Sequence, residues 1–557
     1  MARATMKGSL SATGLVGAAI SAWLSGRRRL LSNERHWQRN SAGIQLAQLR
    51  NLLRAGVATR FGKSHDFARL LECSNAELLP AYRKAVPIAD WLVYKDHIAQ
   101  MREGAEPDVL WPGLVRDFAQ TSGTTAGDKF IPVSRQMLRS NFLASLDIFA
   151  NLSRFGVSLT RLLSGRSLFL GGSTDLSTND KGIRTGDLSG IVTPLIRWPM
   201  TTIALPGPEI ALMSHWPTKI DAMAKRCLDE DVRMISGMPS WALVLFERMQ
   251  QIARQQGRRA EVLTDLWPNL NVFVHGGVRY APFEPRVRQM FSGSPDGADI
   301  PVRLELYPAS EGFIAIQDRQ GEPGLRLNSD QFNFFEFVPL ESIDDPGAPA
   351  FSCDEVEKGQ RYVVVLSSCA GLWRYILGDV VEFDTIADRP EWSPRGPGGG
   401  DGPPRLRIVG RHRHFINAFG ENLIVEHIEN AVATAAREAG VIAGEFTAAP
   451  VYPGQGRRAG LELAIELAPC EPGAIERLRD AFDAALKAQN VDYTTKRTDG
   501  LGMVEPTITP LPQGVFHAWL ASRGKLGGQH KCPRCANHRD IIDAVKAAAS
   551  AANPTPA

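Results

Sequence analysis

Residues Thr121 to Ser134 read TSGTTAGDKFIPVS: a loop of hydroxyls and glycines, one lysine, then a strand-like apolar run. Several nucleotide-binding folds use loops of this composition, and the spacing separates them. A P-loop closes on Gly-Lys followed by Ser or Thr, whereas here Gly127 is followed by Asp128 before Lys129 arrives. The G-x-G-x-x-G spacing of a dinucleotide fold is missing as well. What remains is a run of small residues whose backbone N–H groups can be exposed, with Thr121, Ser122, Thr124 and Thr125 adding hydroxyl donors around Gly123. Successive N–H groups in a turn cradle oxyanions, and a charge-assisted bond to phosphate is worth about 1.5–3 kcal/mol. Lys129 is placed to supply the compensating charge. Turns of Ser, Thr and Gly also precede strands where nothing binds, so on this segment alone a phosphate cradle and an ordinary turn both stay open.

Around the loop, the strand-like pieces SLFLGG, NVFVHGG and RLELYPASEG alternate with helical stretches such as SWALVLFERMQQIARQQ, and FNFFEFVPL and RYVVVLSS add further strands. That alternation predicts an α/β architecture. Ahead of the loop, IQLAQLRNLLRAG sets Ile44, Leu46, Leu49, Leu52 and Leu53 close to one stripe and ends at Gly56, which predicts a packed helical lead-in. Downstream, SPRGPGGGDGPPR (393–405) is too rich in Gly and Pro to pack a core and predicts a solvated loop. The later stretches IENAVATAAREAG, LELAIELAP and IERLRDAFDAALKAQ predict a smaller α+β unit.

The chain has 557 residues, more than the roughly 100–250 that usually close one domain. With 44% apolar and 22% charged residues, its fold must rest on buried cores. Lys+Arg 63 against Asp+Glu 60 leaves a formal charge of +3, so no global field favours nucleic acid or an anionic membrane. Seven cysteines, an odd number without a dense framework, suit a reducing compartment, and the cytoplasm is the expected location. LSATGLVGAAISAWLSG (10–26) loosely imitates a signal peptide or anchor. It is shorter than the ~20 residues a span needs, and its strongest positive cluster follows it. A packed or loosely attached helix is expected, without stable membrane insertion.

Six ordered segments, TSGTTAGDKFIPVS, VHGG, LELYPASEGF, LWRYILGDVVEF, IVGRHRHFINAFGENLIVEHIENAV and GGQHKCPR, together resemble the adenylate-forming enzymes. More closely, the chain resembles the auxin-responsive Gretchen Hagen family of acyl acid amido synthetases, over nearly its whole length. The resemblance implies an α/β fold: a large N-terminal adenylate-forming domain with mixed sheets and packed helices (1–411), and a smaller mobile α+β C-terminal domain (412–557). ATP and Mg2+ are implied as cofactors, and a carboxylic acid and an amine, an amino acid, as partners. The implied reaction forms an acyl-adenylate and passes the acyl group to the amine. An AMP-forming acyl-CoA ligase shares the first half-reaction and is the main alternative. A nucleotide-binding protein without turnover is a third.

Each segment also has a chemical reading. Glu311, next to Gly312, is placed to ligate Mg2+ bridging triphosphate oxygens, and the resemblance implies the same, with Tyr307 and Ser310 lining the nucleotide site. Gly276 and Gly277 lack side chains and let backbone approach an adenine ring. Asp379 ends YILGD, where an exposed carboxylate can accept both ribose hydroxyls. Arg411 resembles the arginine that contacts the ribose before the hinge of this superfamily, although basic HRH follows it where an acidic residue is usual. Arg374 is read evenly as a phosphate contact or as the partner of a nearby acid. Trp373 and Phe313 flank the motifs and are assigned either to the core or to contact with an apolar acid. Lys531 matches the family's catalytic lysine, with Lys525 in reserve. His530, Cys532, Cys535 and His538 are ligand types that zinc accepts, but at a spacing too tight for all four to converge. His412, His414 and His427 read as surface or packing histidines.

Overall fold

The computed structural model describes residues 12–552, apart from 122–128, 172–175, 196–199, 214–215, 278–279, 282, 413–414, 417–422, 452–459, 491–492, 495–496, 498–502, 524–530 and 537. The helical lead-in forms as the periodicity predicts. Asn33 caps a helix over Glu34–Gly56 by accepting from the His36 N–H. The stripe of Leu46, Leu49, Leu52 and Leu53 is buried, and the helix ends at Gly56, where a Cβ would come within 2.7 Å of the Trp373 ring. Helices Asn75–Ala85 and Trp91–Arg102 complete the layer.

An eleven-stranded sheet forms the centre of the large unit. From Asn333–Pro339 through Arg361–Ser368, Tyr375–Thr385, Arg405–Arg411, Leu325–Leu327 and Gly312–Gln317 to Val302–Ala309, neighbours run antiparallel. Beyond Val302–Ala309 the pairings with Val272–Gly276, Val232–Gly237, Arg166–Phe169 and Ala204–Leu205 are parallel. Val302–Ala309 is therefore the strand at which the sheet changes sense. Helices cover both faces of the parallel part: Trp267, Phe246 and Met249 pack against Phe273 on one side, while Ala144 and Leu152 pack with Val274 and Leu304 on the other. Burial on both faces explains why NVFV reads as a continuous apolar run. In open α/β sheets ligands bind beyond the carboxyl ends of the strands where topology switches, and YPASEG lies at that end.

The smaller unit follows Arg405–Arg411. Strands Ala443–Val451, Gly460–Leu467 and Thr507–Leu511 form a separate sheet. Helices Val425–Ala439 and Ala474–Gln489 bury Ile428, Val432, Leu478 and Phe482 with Phe446 and Leu463 of this sheet. Helices Val515–Ser522 and Asp540–Ala552 bury Phe516, Trp519 and Ile542 with Ala449 and Ala464.

Two local expectations need adjustment. The Gly- and Pro-rich segment is only half solvated: Gly402, Pro403 and Pro404 are buried, and the Pro404 carbonyl accepts from the Leu327 N–H at 2.9 Å. Glycine allows this, because a Cβ at Gly400 would lie 2.4 Å from Ala387 backbone. The apolar N-terminal stretch forms a helix, Ala12–Trp23, with Gly17 against the Leu159 backbone. The basic cluster after it is pinned, Arg27 forking between Asp147 and Asp330 at 2.6 Å each. No helix among the described residues is long and apolar enough to cross a membrane.

Candidate active site

A cleft of about 1520 Å³ runs along the carboxyl end of the parallel strands, with the smaller unit forming its other wall. Lys129, Gly276, Gly277, Tyr307, Ser310, Glu311, Asp379, Arg411 and Lys531, scattered over some 400 positions in sequence, all line it.

At its centre Asp379 accepts from the Tyr307 hydroxyl at 2.7 Å and from Arg411 Nε at 2.6 Å. Strand pairing fixes this geometry, because Asp379 stands opposite Arg411 in the antiparallel register. Asp379 was expected to be exposed, but its position inside the sheet buries it. A carboxylate has about four acceptor positions, so each oxygen keeps a lone pair for a further donor. The carboxylate in turn holds the Arg411 guanidinium charged.

Glu311 is buried at the end of the turn after Val302–Ala309. Burial pushes its pKa up, while the positive charges of Lys129 and Arg411 oppose that shift. Lys129 Nζ instead lies 3.4 Å from the Tyr375 hydroxyl, and Glu311 closes no ion pair among the described residues. A buried, unpaired carboxylate beside an open cleft is suited to a cation. Among the described residues no three His, Cys, Asp or Glu side chains cluster as metal ligands.

Lys531 reaches across from the smaller unit and donates to the Gly277 carbonyl. Gly277 has φ +80°, and a Cβ there would lie 2.8 Å from Lys531 Nζ, so both conformation and contact require glycine. Burial and the nearby Arg411 and Arg534 push the lysine down to about 8. Arg534 is held by Glu445, with its guanidinium 4.5 Å from the centre of the Phe446 ring.

Three expected substrate contacts lie elsewhere. Trp373 is fully buried, 4.7 Å edge-on from Phe67, and its indole N–H donates to the Leu110 carbonyl. Arg374 pairs with buried Glu336 at 2.8 Å and caps the carbonyls of Arg83 and Val86, so pairing with an acid is the reading found. Phe313 packs with Ala144, Val274 and Leu304. None of the three lines the cleft; aromatic residues beside motif residues point to the opposite face of a strand as readily as to the site. Ser122, Gly123, Thr124, Thr125, Arg413, His414, Lys525 and His530 lie outside the described residues, and of Thr121 only the backbone is described, paired opposite Lys129. Cys532 and Cys535 are buried in separate apolar clusters, and burial pushes the Cys532 thiol up to about 12. His538 is exposed beside Asp540. Arg534 and His275, both in the cleft wall, were missed although they stand within the quoted segments HKCPR and VHGG.

The arrangement is that of an adenylate-forming fold. Over 91% of each chain, the structure superposes on a 2-hydroxyisobutyryl-CoA ligase in the postadenylation state with a TM-score of 0.52 at 13% identity. It superposes on the AtGH3.15 acyl acid amido synthetase in complex with 2,4-DB over 97% of each chain, with a TM-score of 0.72 at 16% identity. Residues 31–197 and 154–295 match the GH3 family N-terminal domain, 327–392 its central domain and 426–540 its C-terminal domain. The chain belongs to the GH3 family. Among its relatives, a jasmonoyl–L-amino acid synthetase GH3.5 of Oryza sativa subsp. japonica is 29% identical over 226 residues, 38% of this chain and 31% of that one. A probable indole-3-acetic acid-amido synthetase GH3.1 of Arabidopsis thaliana is 23% identical over 368 residues, 62% of this chain and 57% of that one. The chain thus spans from about a third to somewhat over half the length of these two relatives.

Proposed function

We propose that this protein adenylates a carboxylic acid with ATP and transfers the acyl group to an amine, an amino acid as in the names of its relatives, releasing AMP and pyrophosphate. The observation that carries the reading is the convergence of Lys531, Glu311 and the Tyr307–Asp379–Arg411 chain on one cleft at the topological switch of the sheet. In the first half-reaction an oxygen of the acid attacks the α-phosphorus and the bond to pyrophosphate breaks. Asp379, oriented by Tyr307 and Arg411, accepts from the ribose hydroxyls and fixes the nucleotide. Gly276 and Gly277 bring backbone close to the base. Glu311 would hold Mg2+, which supplies charge neutralisation at the phosphate oxygens when bound. Lys531 directs its ammonium at the α-phosphate and the attacking carboxylate, and Lys129 with the Ser/Thr loop receives the outer phosphates.

In the second half-reaction the neutral amine attacks the acyl carbon, the C–N bond forms, the bond to AMP breaks, and the proton shed by the nitrogen passes to water. We place the boundary between a large domain, 1–411, and a mobile smaller one, 412–557, after Arg411. Rotation there lifts Lys531 from Gly277 and admits the amine. A cytoplasmic, reducing setting belongs to the same reading and is supported by the odd number of cysteines, seven, spread without a dense framework.

The test is acid-dependent exchange of labelled pyrophosphate into ATP over an acid library, followed by addition of amino acids or coenzyme A to the active acid. Exchange that requires acid and Mg2+, with amide as the product, is expected. Thioester as the product would reassign the second half-reaction, and measurable ATP binding without exchange on any acid would remove the adenylation reading.

A further inference from the structure

The N-terminal helix and the basic cluster after it have no part in the mechanism above. Helix Ala12–Trp23 carries no charged residue, and it packs on the short helix Leu159–Leu162 through its small side chains. Gly14 and Gly17 are buried, with Val16 and Ile20 half-buried beside them, and a Cβ on Gly17 would lie 2.7 Å from the Leu159 carbonyl oxygen. The other side faces outward. Leu15 is 60% and Trp23 62% exposed, and Ala18, Ala19 and Ala22 between them are exposed as well. Spacings of three and four residues set these positions on one face. A surface helix of a soluble protein turns its apolar face to the core and its polar face to water; this one buries glycine and shows leucine and tryptophan.

The helical path then continues. The Leu24 N–H donates to the Ile20 carbonyl and the Arg28 N–H to the Leu24 carbonyl, leading into helix Ser25–Ser32, on which exposed Gly26 and Arg29 extend the outward stripe. There it meets a separate pocket of about 510 Å³ lined by Arg28, Arg29, Ser32, Asn33 and Arg154, three arginines and no acid. The carboxylates of this region are already engaged. Asp147 and Asp330 hold Arg27, Glu34 holds Arg319 and Arg405 at 2.6 and 3.0 Å, and Asp318 holds Arg405 at 2.8 Å and Arg326 at 3.3 Å. Arg154 comes no nearer to Asp318 than 3.8 Å and donates instead to the Asn151 side-chain oxygen at 2.9 Å, while Arg28 donates to the Ser153 hydroxyl at 2.9 Å. Guanidinium groups gathered without a carboxylate of their own are suited to a phosphate.

We propose that the stripe and the pocket together form a docking surface for an anionic phospholipid membrane. The helix lies in the plane of the interface, Leu15 and Trp23 enter the boundary between headgroups and acyl chains, and Arg28, Arg29 and Arg154 receive lipid phosphates. Tryptophan favours that boundary, and an apolar helix face joined to basic side chains is the pattern that binds there. A free phosphate would account for the pocket but not for the outward Leu15 and Trp23. A second copy of the chain would bring the same arginines, not the anions they lack. At 12 residues the helix is shorter than the ~20 a span needs, so it lies on the bilayer and does not cross it. With a formal charge of only +3, the attraction comes from this patch and not from the molecule as a whole. Docking of this kind does not depend on the adenylation reading.

The test is flotation of the full chain with vesicles of phosphatidylcholine alone or of phosphatidylcholine mixed equally with phosphatidylglycerol. Wild type should bind the anionic vesicles about tenfold or more tightly than the neutral ones. Leu15→Ser with Trp23→Ser should weaken that binding about tenfold or more, and so should Arg28→Gln with Arg29→Gln. Arg28→Lys with Arg29→Lys keeps the charge and should retain most of it. The Leu15 and Trp23 variant should melt with the wild type, because both side chains are exposed. No binding to either vesicle, equal binding to both, or binding that neither pair of substitutions weakens overturns the proposal. A dimer in sedimentation that Leu15→Ser with Trp23→Ser dissolves, without vesicle binding, overturns it in favour of a second copy. Calorimetric binding of inorganic phosphate that Arg28→Gln with Arg29→Gln abolishes, again without vesicle binding, overturns it in favour of a free anion.

Discussion

Lys531 connects the two units, and its titration gives the sharpest test of the proposed chemistry. Its pKa of about 8 in the free enzyme comes from burial and two neighbouring arginines. Such a lysine is about nine-tenths charged at pH 7 and about one-tenth charged at pH 9. If the ammonium is needed for adenylation, kcat/KM for pyrophosphate exchange, which reports the free enzyme, must fall about tenfold over that interval. Lys531→Ala removes the charge altogether and should lower exchange by roughly 10²–10³-fold, or about 3–4 kcal/mol of barrier. Lys531→Arg retains a charge that does not titrate; it should be slower than wild type yet lack the alkaline limb. Initial rates of exchange from pH 6 to 10, with each variant's fold checked by circular dichroism, decide the matter. An alkaline limb of the same midpoint in wild type and Lys531→Arg would refute the reasoning.

Glu311→Gln should lower exchange by more than about 10²-fold and, at pH 7, leave the melting temperature equal or higher. Its folded-state pKa is raised, so stability contributed by the protonated form is lost as pH rises through that value, and the amide removes the cost of a buried charge. Arg374→Ala should destabilise by about 1.5–3 kcal/mol in urea denaturation, because it removes one of the two arginines paired with buried Glu336, Arg83 remaining at 2.9 Å, and frees the Arg83 and Val86 carbonyls, while the folded protein keeps its specific activity. Gly277→Ala combines φ +80° with a Cβ 2.8 Å from Lys531 Nζ. It should cost about 1–2 kcal/mol in the same denaturation assay and slow exchange by displacing the lysine.

Much of this was legible in the chain because the decisive signals are local. The helical stripe ending at Gly56, the apolar parallel strands and the α+β tail follow from the spacing of apolar residues, which fixes which face is buried. Asp379, Glu311 and Lys531 were found because a short motif carries each of them into the cleft. By the same token, local proximity misled at Trp373 and Arg374. They stand close to Asp379 in sequence, but Arg374 turns inward at φ +48° to meet Glu336, a partner 38 positions away.

By itself, then, the sequence determined the class of fold, the order of its elements and the residue types that line the cleft. Tertiary structure alone decided the pairings. Whether Asp379 is exposed or bonded depends on the register that sets it opposite Arg411. Whether Lys531 or a neighbour reaches Gly277 depends on how the two units meet. What surrounds His275 depends on Tyr280 and Phe273, whose rings pack against its imidazole at 4.7 and 5.6 Å. Periodicity reports which side of an element is buried, whereas a polar atom's state is set by what stands across from it, and those partners come from distant parts of the chain.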